Sequence, residues 1–217
     1  MSKTFIRPFL IGAALSALTL LSACGGGGSD AGTPVQPTPD IKPAVEMTIT
    51  HRVRLTTNKG VIEIGLDNAH APITTANFLK YVNEGFYNGT IFHRVIKDFM
   101  SQGGGFTRTT GGLVEKTPTS AAIKLESNVG LRNLRGTIAM ARTTVADSAT
   151  AQFFINAKDN AFLNYKDASA SDPNGYAVFG KVLTGQDIVD QINTVATAVN
   201  DVPLVDVVII KAEEIKP

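Results

Sequence analysis

Phe92-His93-Arg94-Val95-Ile96, followed by Asp98-Phe99-Met100-Ser101-Gln102-Gly103-Gly104, sets a fixed cation a few residues ahead of an apolar pair, an amide and a run of glycines. Arginine is charged at any ordinary pH and carries a planar fork of donors. Phenylalanine and methionine offer an apolar, adaptable contact surface. The stretch is equipment for holding a peptide group beside an apolar ring, without a nucleophile.

Outward from this stretch, the chain alternates strands with two short helices. Ile49, His51, Val53 and Leu55 alternate with Thr50, Arg52, Arg54 and Thr56, a period of two that predicts a half-buried strand. Asn58-Lys59-Gly60 is a turn signal, and Ile62, Ile64 and Leu66 line one face of a second strand, so the pair predicts a hairpin. A helix is expected between Pro72 and Gly85, with Phe78, Leu79 and Val82 as its stripe and Tyr81 at the edge. Further strands are expected at Thr90–Ile96, Thr137–Arg142, Gln152–Ile155, Tyr176–Val182 and Val205–Lys211. Thr184-Gly185-Gln186-Asp187 looks like a capping-box start for a second helix with Ile188, Val189, Ile192 and Val195 as its stripe. Many strands without regular strand–helix alternation argue for a barrel or sandwich over a doubly wound sheet.

Further motifs follow downstream. Gly136-Thr137-Ile138-Ala139-Met140-Ala141-Arg142 is an apolar strand passing into a polar loop. Gln152-Phe153-Phe154-Ile155-Asn156, Asn160-Ala161-Phe162-Leu163 and Gly175-Tyr176-Ala177-Val178-Phe179-Gly180 come next. In this order, from about Val53 to the C-terminus, these segments resemble the cyclophilins, the peptidyl-prolyl cis–trans isomerases, and their bacterial periplasmic branch in particular. The resemblance implies a mainly β fold, a closed eight-stranded antiparallel β-barrel capped by two short α-helices.

It also implies roles for single residues. Arg94 takes the place of the family's catalytic arginine, with Gln102 and Phe99 grouped beside it. Phe99, Met100, Phe154 and Leu163 match the pocket for the proline ring. Gln102 matches a glutamine that contacts substrate backbone and helps orient the arginine. Ala141, Arg142 and Thr143 match the segment lining the residue before proline, and Gln152 a further polar contact. Phe162 stands where eukaryotic members often have tryptophan, and Tyr176 where they often have histidine. Losing the indole N–H removes a donor, so weak cyclosporin binding is expected. His93 is read as a structural histidine facing away from Arg94. The resemblance implies no cofactor and a monomer. The alternative is a cyclophilin-like binding module that holds clients while turnover is incidental.

Composition narrows the remaining classes. The chain has 217 residues, 43% of them hydrophobic, enough for one substantial core. A net charge of +1 without a basic stripe argues against nucleic acid. Gly103-Gly104-Gly105 lacks the Lys-Ser/Thr that a phosphate loop needs, and no Gly-x-Ser-x-Gly elbow is present. His51, His70 and His93 are too scattered to argue for a metal site.

The N-terminus looks like a targeting segment. Lys3 and Arg7 precede a mostly apolar run from Phe9 to Leu20, which ends in Leu21-Ser22-Ala23-Cys24, a lipobox-like sequence. Cys24 is the only cysteine, which leaves no internal disulfide. The expectation is a lipoprotein signal peptide over 1–23, lipidation at Cys24, a Gly/Pro/Thr-rich tether over 24–46 and an isomerase domain over 47–217. Removal of Lys3 and Arg7, with no acidic residue, would take the charge from +1 to −1. The expected location is the cell envelope, anchored in the periplasm to the outer membrane, with proline-containing polypeptides as partners.

Overall fold

The computed structural model describes residues 41–169 and 172–215. The expected signal peptide, Cys24 and the tether up to residue 40 lie outside them.

Strands β1 (His51–Thr57) and β2 (Gly60–Leu66) form the expected hairpin, paired from His51 with Leu66 to Thr57 with Gly60. The Thr57 hydroxyl accepts the N–H groups of Lys59 and Gly60 at 3.0 and 3.1 Å and so holds the turn. Alternation buries Val53, Leu55, Ile62, Ile64 and Leu66 completely. Each such aliphatic side chain is worth about 1.5–3 kcal/mol of burial.

Helix α1 spans Pro72–Asn83, with proline in its first turn, where a missing N–H costs nothing. Phe78, Tyr81 and Val82 are buried, whereas Leu79 is half-buried. Tyr81 thus belongs to the stripe and Leu79 to its edge, because the Tyr81 ring meets Phe86 edge-on at 4.8 Å. No side chain at the cap position closes the helix start. Glu126, from a distant loop, accepts the N–H groups of Ile73 and Thr74 and the Thr74 hydroxyl at 3.1, 2.7 and 2.7 Å.

The remaining strands are β3 (Ile91–Ile96), β4 (Met100–Thr109), β5 (Gly112–Glu115), β6 (Thr137–Met140), β7 (Phe153–Asn156), β8 (Val178–Thr184) and β9 (Ile209–Ile215), with α2 at Gln186–Asn193 before β9. The sheet is antiparallel throughout, in the order β3-β4-β7-β6-β8-β2-β1-β9, with β5 paired to β4. Among the described residues this path has the eight strands expected, and β5, off the path, is a ninth. Its ladder is an open path, curled until β3 meets the residue before β9 through a single bridge, Ile91 to Val208. Helix α1 packs against β8 and β9, and α2 against β2, β3 and β4.

Other sequence expectations give way here. The glycine run lies inside β4, where Gly104 has φ 81° and a Cβ would stand 2.8 Å from both the Phe153 and Tyr87 rings. Glycine is required because aromatic rings occupy the side-chain space. No capping box forms: Thr184 is the last residue of β8, and Gly185, at φ 81°, precedes α2 without a side-chain cap. The last strand starts at Ile209 because residues 197–203 fold into their own small hairpin, bridged at Thr197 and Pro203.

Candidate active site

The site is built across neighbouring strands. Arg94 pairs with Gln102, and Gln102 with Phe154, which pairs in turn with Ala139. Paired residues project from the same face of a sheet, so Arg94, Gln102 and Phe154 form one row. Met100 joins this face from two positions earlier on β4. Arg94 reaches it through an irregularity. Register shifts between Phe92 and Arg94, so that Phe92 faces Gly103 while Arg94, two residues on, faces Gln102. His93 is the extra residue of a β-bulge, a device that re-aims a side chain. Phe92 is fully buried, whereas the Arg94 side chain is 45% exposed.

The turn leading to Phe99 and Met100 is pinned from α2. Asn193 accepts the Asp98 N–H at 2.9 Å and donates to the Ile96 carbonyl at 2.9 Å and the Ser101 hydroxyl at 3.2 Å. Asp98 itself has φ 56°. Behind the pocket runs a buried chain of amides. Asn160 donates to the Phe99 carbonyl and to Asn156, at 3.0 and 2.8 Å. Asn156 donates to Asn133 and to Thr137, at 3.2 and 2.9 Å. Asn133 donates to the Leu163 carbonyl at 3.1 Å. The backbone of two pocket residues is thereby held by one network.

The result is a cavity of 130 Å³ lined by Arg94, Phe99, Met100, Gln102, Ala141, Arg142, Phe154, Leu163 and Tyr176. Thr143 and Gln152 instead line an adjoining 220 Å³ cavity, shared with Gln102, Ala141 and Arg142. Phe162 lies outside both, 40% exposed and stacked on Phe99 with centroids 5.5 Å apart. Cys24 lies outside the described residues.

Two polar side chains of the lining have partners that the resemblance did not name. Gln102 donates to Gln152 at 2.9 Å and is not bonded to Arg94. The residue bonded to Arg94 is Asp201, whose carboxylate accepts from Nε at 3.4 Å. Arg142 has a fully buried side chain, committed to Asp172 at 2.6 Å and to the Gly175 carbonyl at 2.7 Å, and it stacks over Tyr176 at 4.6 Å. Its guanidinium braces the pocket wall, while Tyr176 meets Phe154 edge-on at 5.6 Å. The Asn174 N–H, assisted by Arg142, holds the Asp172 carboxyl below the usual carboxylate range.

His93, the extra residue of the bulge, is buried. Its ring lies 4.4 Å from that of Phe106, and Gln152 is beside it. Burial, with the Arg94 charge adding to it, lowers its pKa to about 4. Its Nδ1 has no partner among the described residues.

Sequence reasoning missed Asp201, Glu126 and the asparagine chain. Asp201 and Glu126 act across 107 and 53 residues, and Asn156 and Asn160, though inside recognised motifs, reach Asn133 and Phe99 across 23 and 61.

A curled antiparallel sheet packed by two helices and bearing an arginine-edged apolar pocket is the architecture of the cyclophilin-type proteins. Residues 52–214 match the profile of the cyclophilin type peptidyl-prolyl cis-trans isomerases. Peptidyl-prolyl cis-trans isomerase A of Dickeya dadantii is 49% identical over 178 residues, covering 80% of this chain and 90% of the relative. Peptidyl-prolyl cis-trans isomerase B of Escherichia coli is 53% identical over 157 residues, covering 70% and 93%. The crystal structure of a cyclophilin type isomerase from Cryptosporidium parvum superposes with a TM-score of 0.66 at 26% identity, covering 77% of this chain and 98% of that one. The chain belongs to the cyclophilin family.

Proposed function

We propose that this chain catalyses cis–trans rotation of Xaa–Pro peptide bonds without covalent chemistry. The observation that carries this is the convergence of Arg94 with Phe99, Met100, Phe154 and Leu163 on one cavity. Rotation about a peptide C–N bond costs about 18–20 kcal/mol because resonance must be broken. Unaided, an X–Pro bond isomerises over tens to hundreds of seconds. The apolar walls hold the proline ring while the preceding carbonyl turns. As the bond twists, the prolyl nitrogen pyramidalises and gains a lone pair, and the Arg94 guanidinium donates to it. That interaction is strongest in the transition state, which is what lowers a barrier. Gln102 contacts substrate backbone, and the adjoining cavity with Ala141, Thr143 and Gln152 takes the residue before proline. Arg94→Ala in a protease-coupled proline-peptide assay tests this. A loss of about 100-fold with an unchanged unfolding curve is expected, and near-normal rates exclude the role.

The finer assignments form part of the same proposal. The sheet works as a closed barrel, supported by the Phe92 N–H bond to the Val207 carbonyl and the Ile209 N–H bond to the Thr90 carbonyl, at 2.9 and 2.8 Å. The chain is a monomeric lipoprotein of the bacterial periplasmic branch, anchored through Cys24, and it acts on proline-containing polypeptides folding in the envelope. Lys3, Arg7, the apolar run and the lipobox-like Leu21-Ser22-Ala23-Cys24 support the anchor. Palmitate labelling that marks the wild type and not Cys24→Ala is the expected outcome. Cyclosporin binds weakly, since Phe162 offers no indole N–H.

A further inference from the structure

The loop before β9 presents an unusual backbone to the site. Ala198 N–H donates to the Val202 carbonyl at 2.7 Å, closing a small hairpin with Asn200 and Asp201 at its tip. Both tip residues are left-handed, at φ 64° and 61°. Asparagine and aspartate tolerate that conformation better than other side chains, and the tight turn fixes the direction in which the Asp201 carboxylate leaves the backbone. That side chain is the partner of Arg94, accepting from Nε at 3.4 Å. Among the described residues, neither terminal nitrogen of Arg94 has a hydrogen-bond partner, so both are free to donate at the cavity that Arg94 lines. Gln102, which could otherwise steady the guanidinium, is bonded to Gln152.

We propose that Asp201 is a positioning residue for Arg94. It holds Nε and aims the two terminal nitrogens at the prolyl nitrogen, so the guanidinium need not be ordered at the moment of rotation. Orienting a donor in advance lowers the barrier without tightening substrate binding. The inference rests on the isomerase reading above.

Asp201→Gly, Asp201→Asn and Asp201→Glu in the full chain test it. Asp201→Gly should unfold at the same or a higher urea concentration, because its turn is relieved. Its kcat should nevertheless fall about fivefold, the equivalent of ~1 kcal/mol, with KM within about twofold. Asp201→Asn should lose a similar factor, and Asp201→Glu, which restores the charge, should recover most of it. The Arg94 Nε–H resonance, assigned by its loss in Arg94→Lys, should shift in the Gly and Asn variants and return in the Glu variant. Wild-type or raised kcat in both the Gly and Asn variants overturns the proposal. If Arg94→Ala is inactive while those variants are not, positioning fails and the isomerase reading stands. If Arg94→Ala stays active, that reading fails and the positioning role with it.

Discussion

Phe92 and Arg94 are two residues apart on one strand, yet Phe92 faces Gly103 in the core while Arg94 faces Gln102 on the pocket side. Strict alternation would have sent both to one face. The extra residue, His93, separates them. It occupies a buried place beside Phe106, and that burial shapes its response to acid.

His93 titrates near 6.5 when unfolded and at about 4 in the native chain. Its folded pKa is depressed, so the native state resists the proton that the unfolded state accepts. The stability is present in full above about pH 6.5 and is lost as pH falls toward 4, by about 1.4 kcal/mol per pH unit. His93→Gln removes the titration. Urea unfolding at stepped pH should show a shallower decline for the variant in that window. Parallel curves would mean that the native ring is protonated as easily as the unfolded one.

Arg142 joins the segment after β6 to the loop ahead of Tyr176 through a buried guanidinium. Arg142→Ala leaves the Gly175 carbonyl without its donor and Tyr176 without its cover. Losing one partner of a buried ion pair costs about 3–5 kcal/mol, and the 30% exposure of Asp172 places this case at or below the low end. The expected results are a lower urea midpoint, a raised KM for proline peptides and faster proteolytic cleavage between residues 164 and 175. Unaltered KM and cleavage would show that the brace does not shape the pocket.

Glu126 caps α1 from outside the helix, accepting three hydrogen bonds at its first turn. Glu126→Ala exposes those donors and removes a negative charge from the positive end of the helix dipole. The cost should be about 1–2 kcal/mol in urea unfolding, with kcat/KM for proline peptides unchanged, since the residue is absent from both cavities. A loss below a few tenths of a kcal/mol would mean that water replaces the carboxylate.

What the sequence could reveal follows from how locally each feature is encoded. The β1–β2 hairpin was legible because alternation and its turn residues agree. Strand β4 was not, because Gly103, Gly104 and Gly105 carry no side chains from which to read a period, and β5, Gly112–Glu115, is only four residues long. The residues around the 130 Å³ cavity were legible only through family resemblance, since periodicity alone cannot tell a pocket phenylalanine from a core one. The bulge at His93, the Gln102–Gln152 bond and the Asp201–Arg94 contact depend on tertiary register. No spacing along the chain encodes them.

The asparagine chain behind the pocket fixes the carbonyls of Phe99 and Leu163 before any substrate arrives. A socket whose walls are held from behind has little room to widen for a bulkier ring. A six-membered proline homologue carries one methylene more, and in a fixed apolar pocket one methylene is worth about 1–3 kcal/mol. With the prolyl ring seated as proposed, peptides carrying the six-membered homologue are expected to turn over more slowly than their proline counterparts, and equal rates in the peptide assay would show that the socket yields.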